Sequence, residues 1–348
     1  MTDLLALATA KRRSFESGPA SGMRDAFGRR IEYLRISVTD KCNLRCVYCM
    51  PEEGLPWLSR SEILSYEEIA EIVRVMAAMG LRRVRITGGE PLVRRDLDHL
   101  VRAISAIPGI EDIALSTNAV LLAEQAQRLR SAGVHRVNVS LDSLRPDRVD
   151  AIARRPGSYA RIMAGLDAAE RVGFDPIKIN TVIMRGRNDD ELEDLAAITR
   201  ERPWHVRFIE VMPVGENLDV SAREFVSAHE MLGVVRRIGE LEPVTGPHGN
   251  GPATYFRFPG ARGTVGVITP MSHNYCDRCN RLRLTADGRL RPCLFGAIET
   301  PLRDPLRRDE PLEPLIVETL AIKPERHHLV QGSAAGSGGL LALSQVGG

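Results

Sequence analysis

Residues 42–49 read CNLRCVYC, three cysteines spaced C-x3-C-x2-C. A second set, Cys276, Cys279 and Cys293, follows C-x2-C-x13-C within CDRCNRLRLTADGRLRPC, and the two sets account for all six cysteines. Grouped thiols in a reduced compartment bind metal more often than they form disulfides. Near the N-terminus LLALATA is short, preceded by Asp3 and followed by KRR, the reverse of a secretory layout, so the expected location is cytoplasmic. A structural zinc site wants four protein ligands, whereas three cysteines on a cubane iron–sulfur cluster leave one iron open to a small chelating ligand. Both sets stop at three. For the second, a zinc ribbon stays open, since C-x2-C is its half-motif, although a second such pair is absent.

Those thiols need a scaffold. From residue 33 short β-branched runs alternate with helical patterns: YLRISVT, YEEIAEIVRVMAAM, VRIT, DLDHLVRAISAI, DIALST, LLAEQAQRLRSAG, VNVSL, SYARIMAGLDAAERVG, IKINTVIM, DDELEDLAAITRE and VRFIEVM. Apolar residues recur at helical spacing (Ile69, Ile72, Val73, Met76), and the strand segments read as nearly continuous apolar runs, as strands covered on both faces do. Six βα units of one hand give either an open doubly wound sheet or an incomplete (β/α) barrel, and pattern alone leaves both open. In either, ligands gather at the strands' C-terminal ends, where Cys42, Cys46 and Cys49 follow the first strand and TGGEP (Gly88, Gly89, Glu90) the second. Two adjacent glycines there let the backbone approach a ligand closely. Past about residue 215, TYFRF, GTVGVIT and LRLTADGRLRPC read as β-structure, with a hairpin turn at Asp287-Gly288. The expected organisation is a mobile arm over 1–28, a barrel or sheet over 29–215, a smaller mostly β extension over 216–330, and a flexible Gly-rich tail over 331–348.

The chain carries 47 basic and 45 acidic residues, a balance that gives no sign of a nucleic-acid groove, and no apolar run approaches the roughly 20 residues that span a bilayer. Four of the basic residues are lysine. Arg35 in LRIS, Arg85 in VRIT and Lys178 in IKIN interrupt apolar strands, and Arg281 and Arg283 lie two apart in NRLRL, hence on one face of a strand beside Cys279. Buried cations need an anion, either a ligand or a carboxylate inside the barrel. Guanidinium forks suit phosphates and guanine acceptors.

C-x3-C-x2-C with Tyr48 before its last cysteine resembles the signature of radical S-adenosylmethionine enzymes. The resemblance implies a partial (β/α)6 barrel and a [4Fe-4S] cluster whose open iron chelates S-adenosylmethionine. It also assigns Tyr48, Gly88, Gly89, Glu90, Ser140 in VSLD and Met212 in IEVMP to that cofactor. CDRCNRLRLTADGRLRPCL resembles the C-terminal cluster site of the GTP 3′,8-cyclase family of molybdenum cofactor biosynthesis, a likeness running from LRISVTDKCNLRCVYCMP to the terminal Gly-Gly. It implies a second [4Fe-4S] cluster, which holds the guanine of GTP. Arg35, Arg85, Ser116, Thr117, Lys178, Arg281 and Arg283 become substrate residues. The likeness further implies that the tail, Gly347 and Gly348, reaches into the active site and positions an arginine that acts with the radical chemistry, with Arg281 and Arg283 as catalytic residues. Ala119 stands where the family commonly has glycine, and Val346 where isoleucine is common.

By the same resemblance an external low-potential donor supplies electrons and cyclic pyranopterin monophosphate synthase consumes the product. A homodimer is compatible with it, and no nucleic acid or membrane is involved. Two rivals share part of the pattern. A radical enzyme acting on a peptide or tRNA would have a longer cysteine array or a basic appended domain, and a zinc-binding nucleic-acid module would hold zinc in place of iron.

Overall fold

The computed structural model describes residues 22–213, 218–248, 251–327 and 343–346. Its centre is six parallel strands, β1 (Tyr33–Ser37), β2 (Arg83–Thr87), β3 (Asp112–Thr117), β4 (Arg136–Ser140), β5 (Ile177–Ile183) and β6 (Trp204–Glu210), paired in chain order. The intervening helices are α1 (Tyr66–Ala78), α2 (Leu97–Ser105), α3 (Leu122–Ala132), α4 (Pro146–Ala153), α5 (Ser158–Arg171) and α6 (Leu192–Glu201). α1 illustrates why they form. Ser65 and Glu68 make a reciprocal capping box, and Ile69, Ile72, Val73 and Met76 bury one stripe against the sheet.

The strands alternate, which corrects the expectation of continuous apolar runs. Leu34, Ile36, Val84, Ile86, Leu115, Val137, Val139, Ile179, Val206 and Phe208 are fully buried in the core under the helices. Their neighbours in sequence are Arg35, Arg85, Ser116, Ser140, Asn180 and Arg207, which line one cavity. Residues from all six strands surround that cavity, so of the two architectures the sequence left open, the chain adopts the incomplete barrel with a polar interior.

The C-terminal region completes the same sheet. After α7 (Leu218–Arg223) and α8 (Ala228–Val235) come β7 (Glu242–Val244), β8 (Thr254–Arg257) and β9 (Thr264–Ile268), and β9 runs parallel to β6. β10 (Arg281–Leu284) runs parallel to β1 at the other edge and turns through Asp287-Gly288 into β11 (Arg289–Arg291). β12 (Thr300–Pro301), α9 (Arg303–Arg307) and α10 (Glu313–Ala321) close that side. Among the described residues the strands form one 12-stranded sheet, and the appended strands cover both open edges of the six-stranded barrel.

Residues 1–21 of the expected arm lie outside the described residues. From Gly22 the arm is folded: Asp25 accepts the Phe27 and Arg29 amides at 3.0 Å each, and an antiparallel bridge joins Arg24 to Arg30. No helix of the described residues is long and apolar enough to cross a membrane.

Candidate active site

The first triad sits in the loop between β1 and α1. A turn donates the Cys49 and Met50 amides to the Cys46 carbonyl at 2.9 and 3.2 Å, and the Arg45 and Val47 amides bond the Ala153 and Ile152 carbonyls at the end of α4. Gly88 and Gly89 press on this loop. A Cβ at Gly88 would lie 2.7 Å from the Thr39 carbonyl oxygen and one at Gly89 2.5 Å from that of Asp40. The Gly89 and Glu90 amides bond the Thr39 and Lys41 carbonyls. Both glycines thus pack backbone against backbone on residues 39–41, which seats the cysteine loop.

Cys42, Cys46, Cys49, Tyr48, Gly88, Gly89, Glu90, Ser116, Thr117 and Ser140 share one cavity. Glu90, 1% exposed, accepts from the Thr117 hydroxyl (2.7 Å) and the Asn118 amide (2.7 Å), and burial pushes its carboxyl up to about 7 despite those bonds. Tyr48 donates its hydroxyl to Asp142 at 2.8 Å, and burial raises Asp142 to about 6. Burial and then Glu90 raise Cys42 to about 11; burial and then Asp142 raise Cys46 well above the usual thiol. Asn118 directs its amide at Cys42 Sγ (3.9 Å) and Asn43 (2.8 Å). Thr117 is brought to this cavity rather than to the arginines, its hydroxyl taken by Glu90. Ala119 takes φ +62°, the left-handed conformation that favours glycine.

The second triad lies at the barrel's other edge. Cys276 and Cys279 bracket a 3-10 turn entering β10, and Cys293 follows β11. With Tyr275, Arg281, Arg283, Leu294, Phe295 and His327 they line a second cavity. Lys323 Nζ donates to Cys279 Sγ at 3.5 Å, and Arg29 donates to the Cys276 carbonyl at 2.7 Å. Burial acts to raise the Cys279 thiol, but Lys323 and Arg281 outweigh it and hold it below its ordinary value.

Between the triads lies the central cavity. It shares Tyr48, Ser116, Ser140 and Leu343 with the first site, and Tyr275, Arg281, Arg283 and Leu294 with the second. Arg35, Arg85, Arg207 and Met212 also line it. The register aligns the cations, Arg35 standing beside Arg85 on one side and Arg283 on the other. The Nε groups of Arg35, Arg85, Arg207 and Arg281 are buried with no hydrogen-bond partner among the described residues. Burial, followed by crowding from other arginines, lowers Arg85 and Arg283 well below the usual guanidinium. Asp112, an acid on the inner face, is already held by Arg136. Lys178 Nζ bonds the His248 carbonyl at 2.6 Å, one inward position below Asn180, and burial with Arg207, Arg136 and Arg85 lowers it to about 6.

The sequence reading passed over Arg207, Asn118, Asp142 and Lys323. Arg207 carries the signal that flagged Arg35, a cation inside an apolar strand. Gly347 and Gly348 lie outside the described residues; the helix α11 (Leu343–Val346) just before them puts Leu343 between the first and central cavities.

Each triad brings three thiols to the wall of one cavity, and a cubane is held by one thiolate at each of several separate irons. Arginines with unsatisfied donors fit an anion of several charges.

A barrel with a cysteine triad after its first strand is the architecture of radical enzymes, and the family described as Radical SAM superfamily matches residues 36–198. Molybdenum Cofactor Synthesis C matches residues 204–329. The GTP 3′,8-cyclase of Pelotomaculum thermopropionicum is 52% identical over 314 residues, 89% of this chain and 96% of that protein. The GTP 3′,8-cyclase of Moorella thermoacetica is 48% identical over 329 residues, 94% and 100% of the two chains. The crystal structure of Streptococcus suis SuiB bound to precursor peptide SuiA superposes with a TM-score of 0.57 at 15% identity, over 76% of this chain and 60% of that one, a likeness of fold. The chain belongs to the GTP 3′,8-cyclase family within the radical SAM superfamily, and the family implies a [4Fe-4S] cluster and S-adenosylmethionine.

Proposed function

We propose that this enzyme joins guanine C8 of GTP to its own ribose C3′, giving (8S)-3′,8-cyclo-7,8-dihydroguanosine 5′-triphosphate in the first step of molybdenum cofactor biosynthesis. The observation that carries the reading is the run of cavities, with a cysteine triad at each end and, between them, arginines among which Arg35, Arg85, Arg207 and Arg281 keep a buried Nε without a hydrogen-bond partner among the described residues.

Cys42, Cys46 and Cys49 would hold a cluster that, with S-adenosylmethionine, would supply the radical chemistry needed at the ribose C3′ hydrogen. Tyr48, Gly88, Gly89, Glu90 and Ser140 line the space for the cofactor, with Met212 beyond them in the central cavity. Cys276, Cys279 and Cys293 would hold a second [4Fe-4S] cluster facing the guanine. Arg35, Arg85, Arg207, Arg281 and Arg283 would take the triphosphate and base acceptors, Ser116 the sugar side, and Lys178 would stand behind the phosphates as a proton-holding cation. Leu294 and Leu343 add apolar wall to the central cavity and would help keep water from the reacting carbons. Thr117 supports Glu90, and Gly347 and Gly348, outside the described residues, would act at the active site. This reading divides the chain into an arm (1–28), a radical barrel (29–215), a cluster-bearing extension (216–330) and the tail (331–348). A low-potential donor and cyclic pyranopterin monophosphate synthase act before and after it.

Anaerobic incubation of the iron-loaded protein with GTP, S-adenosylmethionine and a reductant tests the reading. The expected product has the mass of GTP with the C8–C3′ bond formed, and ATP, CTP and UTP yield none. Cofactor cleavage with no cyclised nucleotide from protein loaded at both triads would overturn it.

A further inference from the structure

Among the chain's four lysines, Lys323 is 3% exposed, just past the end of α10. Its ammonium has three acceptors: Cys279 Sγ at 3.5 Å, the Arg281 carbonyl at 3.1 Å and the Pro292 carbonyl at 2.5 Å. These tie together one cysteine of the second triad, the start of β10 and the residue before Cys293. The following residues are clamped as well, since Arg29 donates to the Pro324 and Glu325 carbonyls at 2.6 and 2.8 Å. Two carbonyls and a sulfur satisfy the three protons, but none neutralises the charge. An apolar side chain would fill the same space without the cost of burying an ammonium. The nearby group able to repay that cost is a thiolate-bearing cluster, whose electron density a donor to sulfur lowers.

We propose that Lys323 is a positioning residue of the second cluster, donating a hydrogen bond to the Cys279 thiolate and setting a fixed positive charge that raises the cluster's reduction potential. The proposal rests on the two-cluster reading. It goes beyond it by assigning the electrostatic control of that cluster to a residue distant in sequence from its ligands.

The test uses full-length chain in which Cys42, Cys46 and Cys49 are all replaced by alanine, so that iron loads at the second triad alone. Lys323, Lys323→Arg, Lys323→Gln and Lys323→Met forms are reconstituted anaerobically. Iron and sulfide content, circular dichroism, the potential from an EPR-monitored redox titration, and the Fe–S(Cys) stretches by resonance Raman are recorded. The expected result is a potential shifted to more negative values in the Met and Gln forms, with the Arg form near the parent. The Fe–S(Cys) stretch rises in the Met form, which lacks any donor to sulfur. Loss of iron from folded Met and Gln forms, with retention in the Arg form, is the same dependence on charge. An unchanged potential in the Met form, or iron loss from all three variants alike, overturns the role. A parent that binds no iron defeats the second cluster itself, a distinct outcome.

Discussion

The two triads share a ligand type and face opposite electrostatic surroundings. Cys42 and Cys46 look toward the carboxyls of Glu90 and Asp142, both of which burial holds at unusually high values. Cys279 looks toward Lys323 and Arg281, and Cys276 is held through its carbonyl by Arg29. Acidic neighbours oppose further negative charge on a cluster and favour a cationic partner, which a sulfonium is. Basic neighbours stabilise negative charge and draw in a polyanion, which a nucleoside triphosphate is. On the proposed function the two reactants would therefore occupy different ends of the run of cavities.

The largest effect should come from removing one triad at a time. Cys46→Ala is expected to abolish 5′-deoxyadenosine formation. Cys293→Ala should retain measurable cofactor cleavage and make no cyclised product, both followed by chromatography of anaerobic reactions. Equal loss of 5′-deoxyadenosine in the two variants would erase the division between the sites.

The central arginines should trade stability for binding. Arg85 is buried, stacks on Tyr33 at 5.4 Å, and leaves its Nε unsatisfied. Arg85→Met should weaken GTP binding by roughly 10- to 100-fold, as loss of a charged hydrogen bond worth about 1.5–3 kcal/mol implies. It should also raise the melting temperature of the nucleotide-free chain, because the variant relieves desolvation and repulsion among like charges. A variant with weaker binding and a lower melting temperature would return Arg85 to a structural role.

Lys178 gives a smaller effect with a defined sign. Its value in the fold is about 6 against an ordinary 10.5, so between those pH values it is neutral when folded and charged when unfolded. Its burial thus costs stability, increasingly as pH falls from 10.5 toward 6 and constantly below that. A triphosphate beside it favours the ammonium, so GTP binding near pH 7.5 should take up a proton, at most about one per site. Calorimetry in buffers of different ionisation enthalpy reads this directly, and Lys178→Met should remove it. Uptake that survives in the variant would place the titrating group elsewhere.

What the sequence made legible follows from how local each signal is. The cysteine triads and the β1–β6 rhythm depend on spacing within a few residues, as does the common face of Arg281 and Arg283; the structure pairs the six strands in chain order, brings each triad to one cavity and sets both arginines in the central one. The pairing of β10 with β1 and of β9 with β6 joins segments far apart in the chain, and no periodicity announces it. Arg207 was hidden by composition, since a chain that spells nearly every cation as arginine gives each one little weight. The roles of Asn118 and Lys323 depend on a sulfur reached across loops. The alternation inside RVRIT was visible as letters, but only the cavity explains why Arg85 can face inward.

The smallest expected effect concerns the loop that supports the first triad and has no counterpart at the second. Ala119 at φ +62° follows Asn118, whose amide reaches Cys42 and Asn43. A left-handed conformation costs an L-residue roughly 1–2 kcal/mol. Ala119→Gly would remove that strain while adding about 0.5–1 kcal/mol of chain entropy lost on folding. It would also forfeit about 0.8 kcal/mol from a methyl that is fully buried where α5 passes at Gly165. These contributions nearly cancel, so thermal unfolding of the iron-free chain should change by no more than about 0.5 kcal/mol, which explains how alanine can occupy a site suited to glycine. Ala119→Val has no such compensation. A branched side chain would meet both the left-handed backbone and the close packing at Gly165, and it should destabilise by roughly 2 kcal/mol or more. Iron bound at the first triad should fall with it while iron at the second is kept, and equal loss from both would mean that the loop supports the barrel as a whole.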